Sequence, residues 1–338
     1  MRVREGGNGY LGNPRILIFL LLCLALLIGL IWGTVYWLEN NAKPPEEKDD
    51  VKSYTLEWNG DTYIQKSGLI NLLLIGVDAD GELTSSGSFR NDYRADYISL
   101  ISFDVLEKTC RILQLNRDTI TAVNRLGMGF SSIGKEDMQL ALAYSYGDGR
   151  KTSCQNTVKA VSALLGSIEI NYYLSMTMDG IAVLNDSVGG VLVHVEDDFS
   201  SVDPTLVMGE TVLLKGEHAT NFVRSRSGVG DQTNLTRMKR QKQYMEAFYE
   251  AWKTAIADNQ DYFRNLSEEL AEYHCTNCSV NWMGAMGERI KSYTVEPVYT
   301  LDGTAEAVME SDGVEYMHFT PDSNSLRETI ICMFYNKK

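Results

Sequence analysis

The chain has 338 residues, with 31 basic and 45 acidic side chains and a formal net charge of −14. So acidic a surface is repelled by nucleic-acid phosphates and by anionic membrane surfaces, which excludes a nucleic-acid partner and means that any arginine cluster within it needs a cause. Six cysteines at irregular spacing exclude a disulfide framework.

Residues 1–15 carry Arg2, Arg4 and Arg15 and read as a short cytoplasmic tail. Ile16 to Leu38 holds no charge. As a helix it is long enough for a hydrocarbon core of about 30 Å, and longer than the apolar stretch of a cleaved signal peptide. Trp32, Tyr36 and Trp37 suit the interfacial aromatic belt. Positive charge before the run and acidic charge after it place the N-terminus inside and the rest outside. Residues 39–53, with Pro44-Pro45 and a charged run, read as a stalk. The expectation is a single-pass cell-membrane protein whose residues 54–338 form one extracellular domain.

From Tyr54 onward, strand and helix patterns alternate. Leu69 to Ile75 is a continuous apolar run, the pattern of a strand buried on both faces. Tyr97 to Val105 and Arg111 to Leu115 read as two more strands. Asp137 to Tyr146 has helical spacing, and Ser153 to Leu165 is an amphipathic helix closed by Gly166. Strands over Ile170–Met176 and Val191–Glu196 enclose a short helix over Gly180–Ser187. A helix from Lys215 gives way to loop by Arg226. Asn234 is placed to cap a long helix to about Ala257. A helix over Asn281–Lys291, a strand near Tyr293–Tyr299 and a final helix from about Asp322 complete the chain. This order predicts an α/β fold: one domain with a central mixed β-sheet, helices on both faces, and one transmembrane helix before it.

Three clusters carry chemistry. Asp78 and Asp80 follow the first buried strand, where open α/β sheets bind ligands. Arg94-Ala-Asp96 enters the next strand, and Asn116-Arg117-Asp118-Thr119 leaves the one after it. In Arg224-Ser-Arg226 and the helix that opens at Asn234, Arg237, Arg240 and Gln241 share one face, a turn from the helix N-terminus. Cations are disfavoured at that end unless an anion is present, and arginine matches phosphate bidentately. Carboxylates at strand ends beside a phosphate site suit Mg²⁺. The combination points to phosphate or pyrophosphate chemistry outside the cell. His194, His218, His274 and His318 lie outside these clusters. Cys275-Thr-Asn-Cys278 is a lone CxxC and reads as a local disulfide or plain thiols rather than a zinc site.

Taken in order, the segments NLLLIGVDAD (71–80), YRADYISLISFD (93–104), ILQLNRDT (112–119), LALAYSYGDG (140–149), DSVGGVLVHV (186–195) and FVRSRSGVGDQTNLTRMKRQ (222–241) resemble the LytR–CpsA–Psr family of bacterial envelope proteins. The resemblance implies transfer of a glycopolymer, such as teichoic acid or capsule, from a polyprenyl-pyrophosphate carrier to peptidoglycan through a phosphodiester, with Mg²⁺. It implies that Asp78 and Asp96 bind the metal. Arg94, Arg117, Arg224, Arg226, Arg237, Arg240 and Gln241 would hold the pyrophosphate, and Arg117, Asp118, Arg226 and Arg237 would form the catalytic set. A non-catalytic polyprenyl-phosphate binder or regulator and a lipid-pyrophosphate hydrolase are the alternatives. The chain departs from the family pattern at Asn116 (usually Pro), Asp80 (usually Arg), Asn234 (usually Asp) and Asp148 (usually Gly).

Overall fold

The structure, a computed structural model, describes residues 55–257, 261–310 and 313–338. The expected tail, membrane helix and stalk (1–15, 16–38, 39–53) lie outside the described residues, among which no helix is long and apolar enough to cross a membrane.

The chain enters through a hairpin of β1 (Thr55–Trp58) and β2 (Asp61–Gln65). Its turn, Asn59-Gly60, takes positive φ at both residues, the geometry that two-residue hairpins favour. β3 (Leu69–Val77), β4 (Ala95–Asp104) and β5 (Thr109–Leu115) follow as an antiparallel set. β6 (Ile120–Leu126) and β7 (Ser132–Gln139) make a separate hairpin. The helix expected over Asp137–Tyr146 shrinks to a 3₁₀ turn at Leu140–Ala143, because pairing with β6 holds Asp137–Gln139 extended. α1 (Lys151–Leu164), β8 (Tyr172–Met176) and α2 (Met178–Ser187) come next. β9 (Val191–His194) and β10 (Thr211–Leu214) form a small sheet, followed by α3 (Glu217–Arg224) and α4 (Asn234–Ala257). α5 (Tyr262–Glu269), β11 (His274–Thr276), α6 (Val280–Ile290), β12 (Thr294–Val295) and β13 (Tyr299–Thr300) lead to a hairpin of β14 (Gly303–Met309) and β15 (Glu315–Pro321). α7 (Ser323–Phe334) and β16 (Tyr335–Lys337) close the chain, β16 pairing with β2.

The central sheet runs β11-β8-β3-β4-β5-β12, with β13 also on β5. It is mixed, as expected: β8 lies parallel to β3, while β4 is antiparallel to it. Thr55–Lys338 form one unit.

Helices cover both faces, but differently. On one, Leu73, Ile75, Leu100 and Leu113 pack against Ala160 and Val161 of α1 and Met333 and Phe334 of α7. On the other, Leu72, Leu74 and Ile112 line a cavity of about 370 Å³ whose far walls are α4, α5 and α6. Trp252, Phe263 and Trp282 stand on those walls.

Candidate active site

One end of the cavity is polar. Asp96, Arg224, Arg237 and Gln241 line it beside the apolar side chains. The backbone explains how Asp96 reaches that place. Gly76 pairs with Tyr97 and Val77 with Ala95, so Asp96 is the extra residue of a β-bulge. Bulges re-aim a side chain next to a site. Gly76 is required there, because a Cβ on it would stand 2.8 Å from the Cβ of Tyr97. Asp78 lies one residue past the strand, its N–H donating to the Arg94 carbonyl at 2.9 Å.

Asp96 is the electrostatic centre. Oδ1 accepts from Arg117 and Oδ2 from Arg237 Nη1, the latter at 2.9 Å. Only 8% of Asp96 is exposed, and 4% of the Arg237 side chain. Burial lowers the pKa of Arg237, with Asp96 opposing that shift and Arg117 and Arg226 reinforcing it. Asp118 is also buried; burial raises its pKa against the pull of Arg117, Arg237 and Arg226. These opposing influences place all five groups in one field. Arg237 keeps a buried Nε with no hydrogen-bond partner, whereas Arg117 Nε lies 3.4 Å from Asp118 Oδ1 in an ion pair. Unpaired buried guanidinium N–H groups are costly, and an anion would satisfy them.

Arg224 closes the outer side. It donates to Asp78 at 3.1 Å and to Asp80 at 2.7 Å, in a half-exposed setting. Asp80, where the family usually has Arg, therefore serves here as an acceptor for Arg224. Arg94 and Arg226 are exposed and their guanidiniums have no ion pair among the described residues.

Arg240 and Gln241 have other partners. Arg240 donates to Asp197 at 2.6 Å and to the carbonyls of Phe222 and Ser225, with the ring of Phe199 beneath it. Every nitrogen of its guanidinium is held inside the protein, so Arg240 braces the end of α3 that presents Arg224 and Arg226. Gln241 donates to the Val223 carbonyl at 3.1 Å and accepts from Gln114 at 2.9 Å. The shared helix face thus divides: Arg237 turns to Asp96, and Arg240 turns to α3.

Asn234 is not the helix cap. Thr233 takes that role, its Oγ1 accepting from the Thr236 N–H at 3.2 Å. Asp231 binds Thr233 and Thr236 on the exposed side, and those hydrogen bonds lower its pKa to about 2. Asn234 instead points inward, donating to Asn116 Oδ1 at 2.7 Å and accepting from Arg237 Nη2 at 2.6 Å. Two departures from the family pattern therefore meet. Sequence reasoning missed this contact, the bulge at Asp96 and the Gln114–Gln241 pair. Only Asp197, in the acidic run after β9, carried a signal that a buried arginine needed a partner.

Cys275 and Cys278 are free thiols on and after β11. No group of three or more His, Cys, Asp or Glu able to hold a metal occurs among the described residues.

A family model, that of the LytR_cpsA_psr family, matches residues 35–330. Among named relatives, the polyisoprenyl-teichoic acid–peptidoglycan teichoic acid transferase TagU of Bacillus mycoides is 29% identical over 184 residues, 54% of this chain and 53% of that protein. TagV of Bacillus subtilis, of the same named activity, is 25% identical over 323 residues, 93% of this chain and 76% of that protein. The chain spans about half the length of the TagU relatives it matches. The crystal structure of B. subtilis TagV shares the fold at a TM-score of 0.59, with 23% identity, over 79% of this chain and 96% of that one. A structure of TagT bound to LIIa-WTA gives a TM-score of 0.59 at 22% identity, over 79% and 90% of the two chains.

Proposed function

The chain belongs to the LytR_cpsA_psr family, and from that premise we propose that it transfers a glycopolymer from a polyprenyl-pyrophosphate carrier to peptidoglycan, forming a phosphodiester. One observation carries the reading: an apolar cavity of about 370 Å³ has the guanidiniums of Arg224 and Arg237 at its polar end, and Arg237 keeps a buried donor unpaired there. That shape and charge suit an amphiphile with an isoprenoid tail and an anionic head. The relatives named for polyisoprenyl-teichoic acid and peptidoglycan, and the TagT structure with LIIa-WTA, support the donor and acceptor classes.

The tail would lie between the sheet and α4–α6. Arg117 and Arg237 would meet the pyrophosphate from the buried side, with Arg94, Arg224 and Arg226 on the open side. An acceptor hydroxyl attacks the phosphorus that bears the glycopolymer. The bond from that phosphorus to the bridging oxygen breaks, and polyprenyl phosphate leaves. Charge grows on the leaving phosphate, where fixed guanidiniums stabilise it most. Asp118, with its raised proton affinity, is the candidate acceptor of the hydroxyl proton.

Asp78 and Asp96 would be the protein ligands of a Mg²⁺ ion, which would share their oxygens with Arg224 on Asp78 and with Arg117 and Arg237 on Asp96. They are oxygen donors at adjoining strand ends, and Mg²⁺ completes its shell with water and substrate phosphate rather than with a full protein cage. When bound, the ion would neutralise phosphoryl charge. Residues 16–38 would anchor the protein as a single-pass span with the domain outside.

The test supplies full-length protein in detergent with a polyprenyl-pyrophosphate sugar, an oligosaccharide acceptor and Mg²⁺. Release of polyprenyl phosphate together with a new sugar phosphodiester is the expected result, abolished by chelator. Release without phosphodiester would move the assignment to hydrolysis. Binding without release would move it to a carrier-binding role.

A further inference from the structure

Asn116 and Asn234 are 118 residues apart and meet in the buried floor of the site, 5% and 9% exposed. Their hydrogen bonds form a chain with a fixed direction. Asn116 Oδ1 faces the Asp118 N–H at 2.9 Å, so it is the oxygen and not the amide nitrogen that points there. The same oxygen accepts from Asn234 Nδ2 at 2.7 Å. With its nitrogen committed to Asn116, Asn234 presents Oδ1 to Arg237 Nη2 at 2.6 Å. Arg237 then reaches Asp96 through Nη1 at 2.9 Å, and Asp96 takes Arg117 on its other oxygen. The loop is closed, because Arg117 is the residue between Asn116 and Asp118. Thr119 draws the loop tight by donating its N–H and Oγ1 to the Asn116 carbonyl at 3.1 and 2.7 Å.

We propose that the Asn116–Asn234 amide bridge is a positioning device that fixes Arg117 and Arg237 on opposite oxygens of Asp96, in the geometry the transfer reaction uses. The inference rests on the functional reading above. Helix capping does not explain Asn234, since Thr233 caps α4. Nor does turn formation alone explain Asn116, whose oxygen carries a second, long-range bond. The amide at position 234 donates to one partner through Nδ2 while accepting from the other through Oδ1. A carboxylate there would keep the Arg237 contact, lose the donation, and set two acceptor oxygens against each other. A side chain held between fixed partners holds a guanidinium with less freedom than the guanidinium's own long chain allows, and placement errors of about 1 Å cost large factors in rate.

The test measures kcat and KM of the full-length protein with a polyprenyl-pyrophosphate sugar, an oligosaccharide acceptor and Mg²⁺, for Asn234→Asp, Asn234→Ala, Asn116→Ala and the double alanine variant. Melting curves identify folded variants. We expect Asn234→Asp to fold and to lose about tenfold to a hundredfold in kcat, the scale of one charged buried hydrogen bond, with KM within about threefold because the cavity and Arg226 still bind the donor. The double alanine variant should be no slower than the slower single, since either change breaks the same chain. Folded variants with wild-type kcat, losses carried by KM alone, or single losses that multiply in the double variant would overturn the bridge. Wild-type protein that neither transfers nor hydrolyses the donor would overturn the proposed reaction and the bridge's role with it. Wild-type turnover beside unaffected variants would overturn the bridge alone.

Discussion

Along β3, Leu73 and Ile75 point one way and Leu72 and Leu74 the other. All four are aliphatic, yet their surroundings differ. Leu73 is wholly buried and Ile75 is 2% exposed, within a packed core. Leu72 and Leu74 are only half-buried, because they form a cavity wall. Packing stabilises the first pair in the protein alone. The second pair keeps apolar surface open to the cavity, where the proposed isoprenoid tail would lie. The two faces of one strand thus separate a packed core from the wall of the proposed binding cavity.

The largest expected effect lies on the packed face. Leu73→Ala should cost about 2–5 kcal/mol of unfolding free energy, the range for emptying a fully buried leucine site. Leu74→Ala should cost roughly 1 kcal/mol or less, since it removes fewer buried contacts. Denaturant titrations of the two variants check this; equal losses would mean that the cavity is closed and packed in solution.

The next comparison sets two arginines of α4 against each other. Arg237→Lys removes the two-sided grip on Asp96 and Asn234. It should reduce kcat by about 10²–10³, the cost of losing one aligned donor to a transition state. Arg240→Lys breaks a brace to Asp197 and to two carbonyls, so stability should fall first, with activity following only as Arg224 and Arg226 lose their support. Assaying both at a temperature where both are folded separates the two roles. Similar kinetic losses there would show that Arg240 acts at the substrate.

How far the sequence disclosed this arrangement follows the same division. The central strands and the long helix were legible because apolar periodicity records burial, and Asp78, Asp96 and Arg237 because charge beside such runs is rare. The small β9–β10 sheet was half seen: Thr211–Leu214 is too short to stand out from loop. The hairpins β6–β7 and β14–β15 were missed because one strand of each, β7 and β14, is mostly exposed and carries no apolar alternation to pair with its neighbour. The cavity was not legible at all, since Leu72 and Leu73 give one apolar signal whether they meet side chains or a lumen. Arg240 was grouped with Arg237 because helical spacing fixes a face to within a turn, not the partner that a neighbouring helix supplies.

A smaller effect tests the cavity face directly. Leu74→Trp places an indole in the lumen, where spare volume exists. The melting midpoint should stay within a few degrees, while affinity for a long-chain polyprenyl phosphate falls about tenfold, close to 1.4 kcal/mol. Dye displacement or calorimetry in detergent reads this. Unchanged affinity would place the tail elsewhere.

The smallest expected effect compares two carboxyls whose pKa values move in opposite directions. Asp203 lies buried in the segment between β9 and β10, against His218 and Asn221 of α3. Burial pushes its pKa up, but hydrogen bonds from Thr205, His218 and Asn221 overcome that and draw it down to about 2. Its unfolded value is about 3.9. Its contribution to stability is therefore complete above the unfolded value and is lost as pH falls through about 4 towards 2. Asp118 sits in the site. Burial is the largest influence on it and raises its pKa despite three arginines. Ionised Asp118 therefore opposes folding at neutral pH, and that cost is relieved as pH falls below its raised value. Asp203→Asn should lower the melting midpoint at pH 7 and change it little near pH 2. Asp118→Asn should leave the pH 7 midpoint unchanged or raise it, while reducing turnover. The segment under α3 thus keeps its carboxyl where ionisation stabilises, and the candidate site keeps one where burial disfavours ionisation. Midpoints that shift in the same direction for both variants, across pH 3–7, would break the contrast.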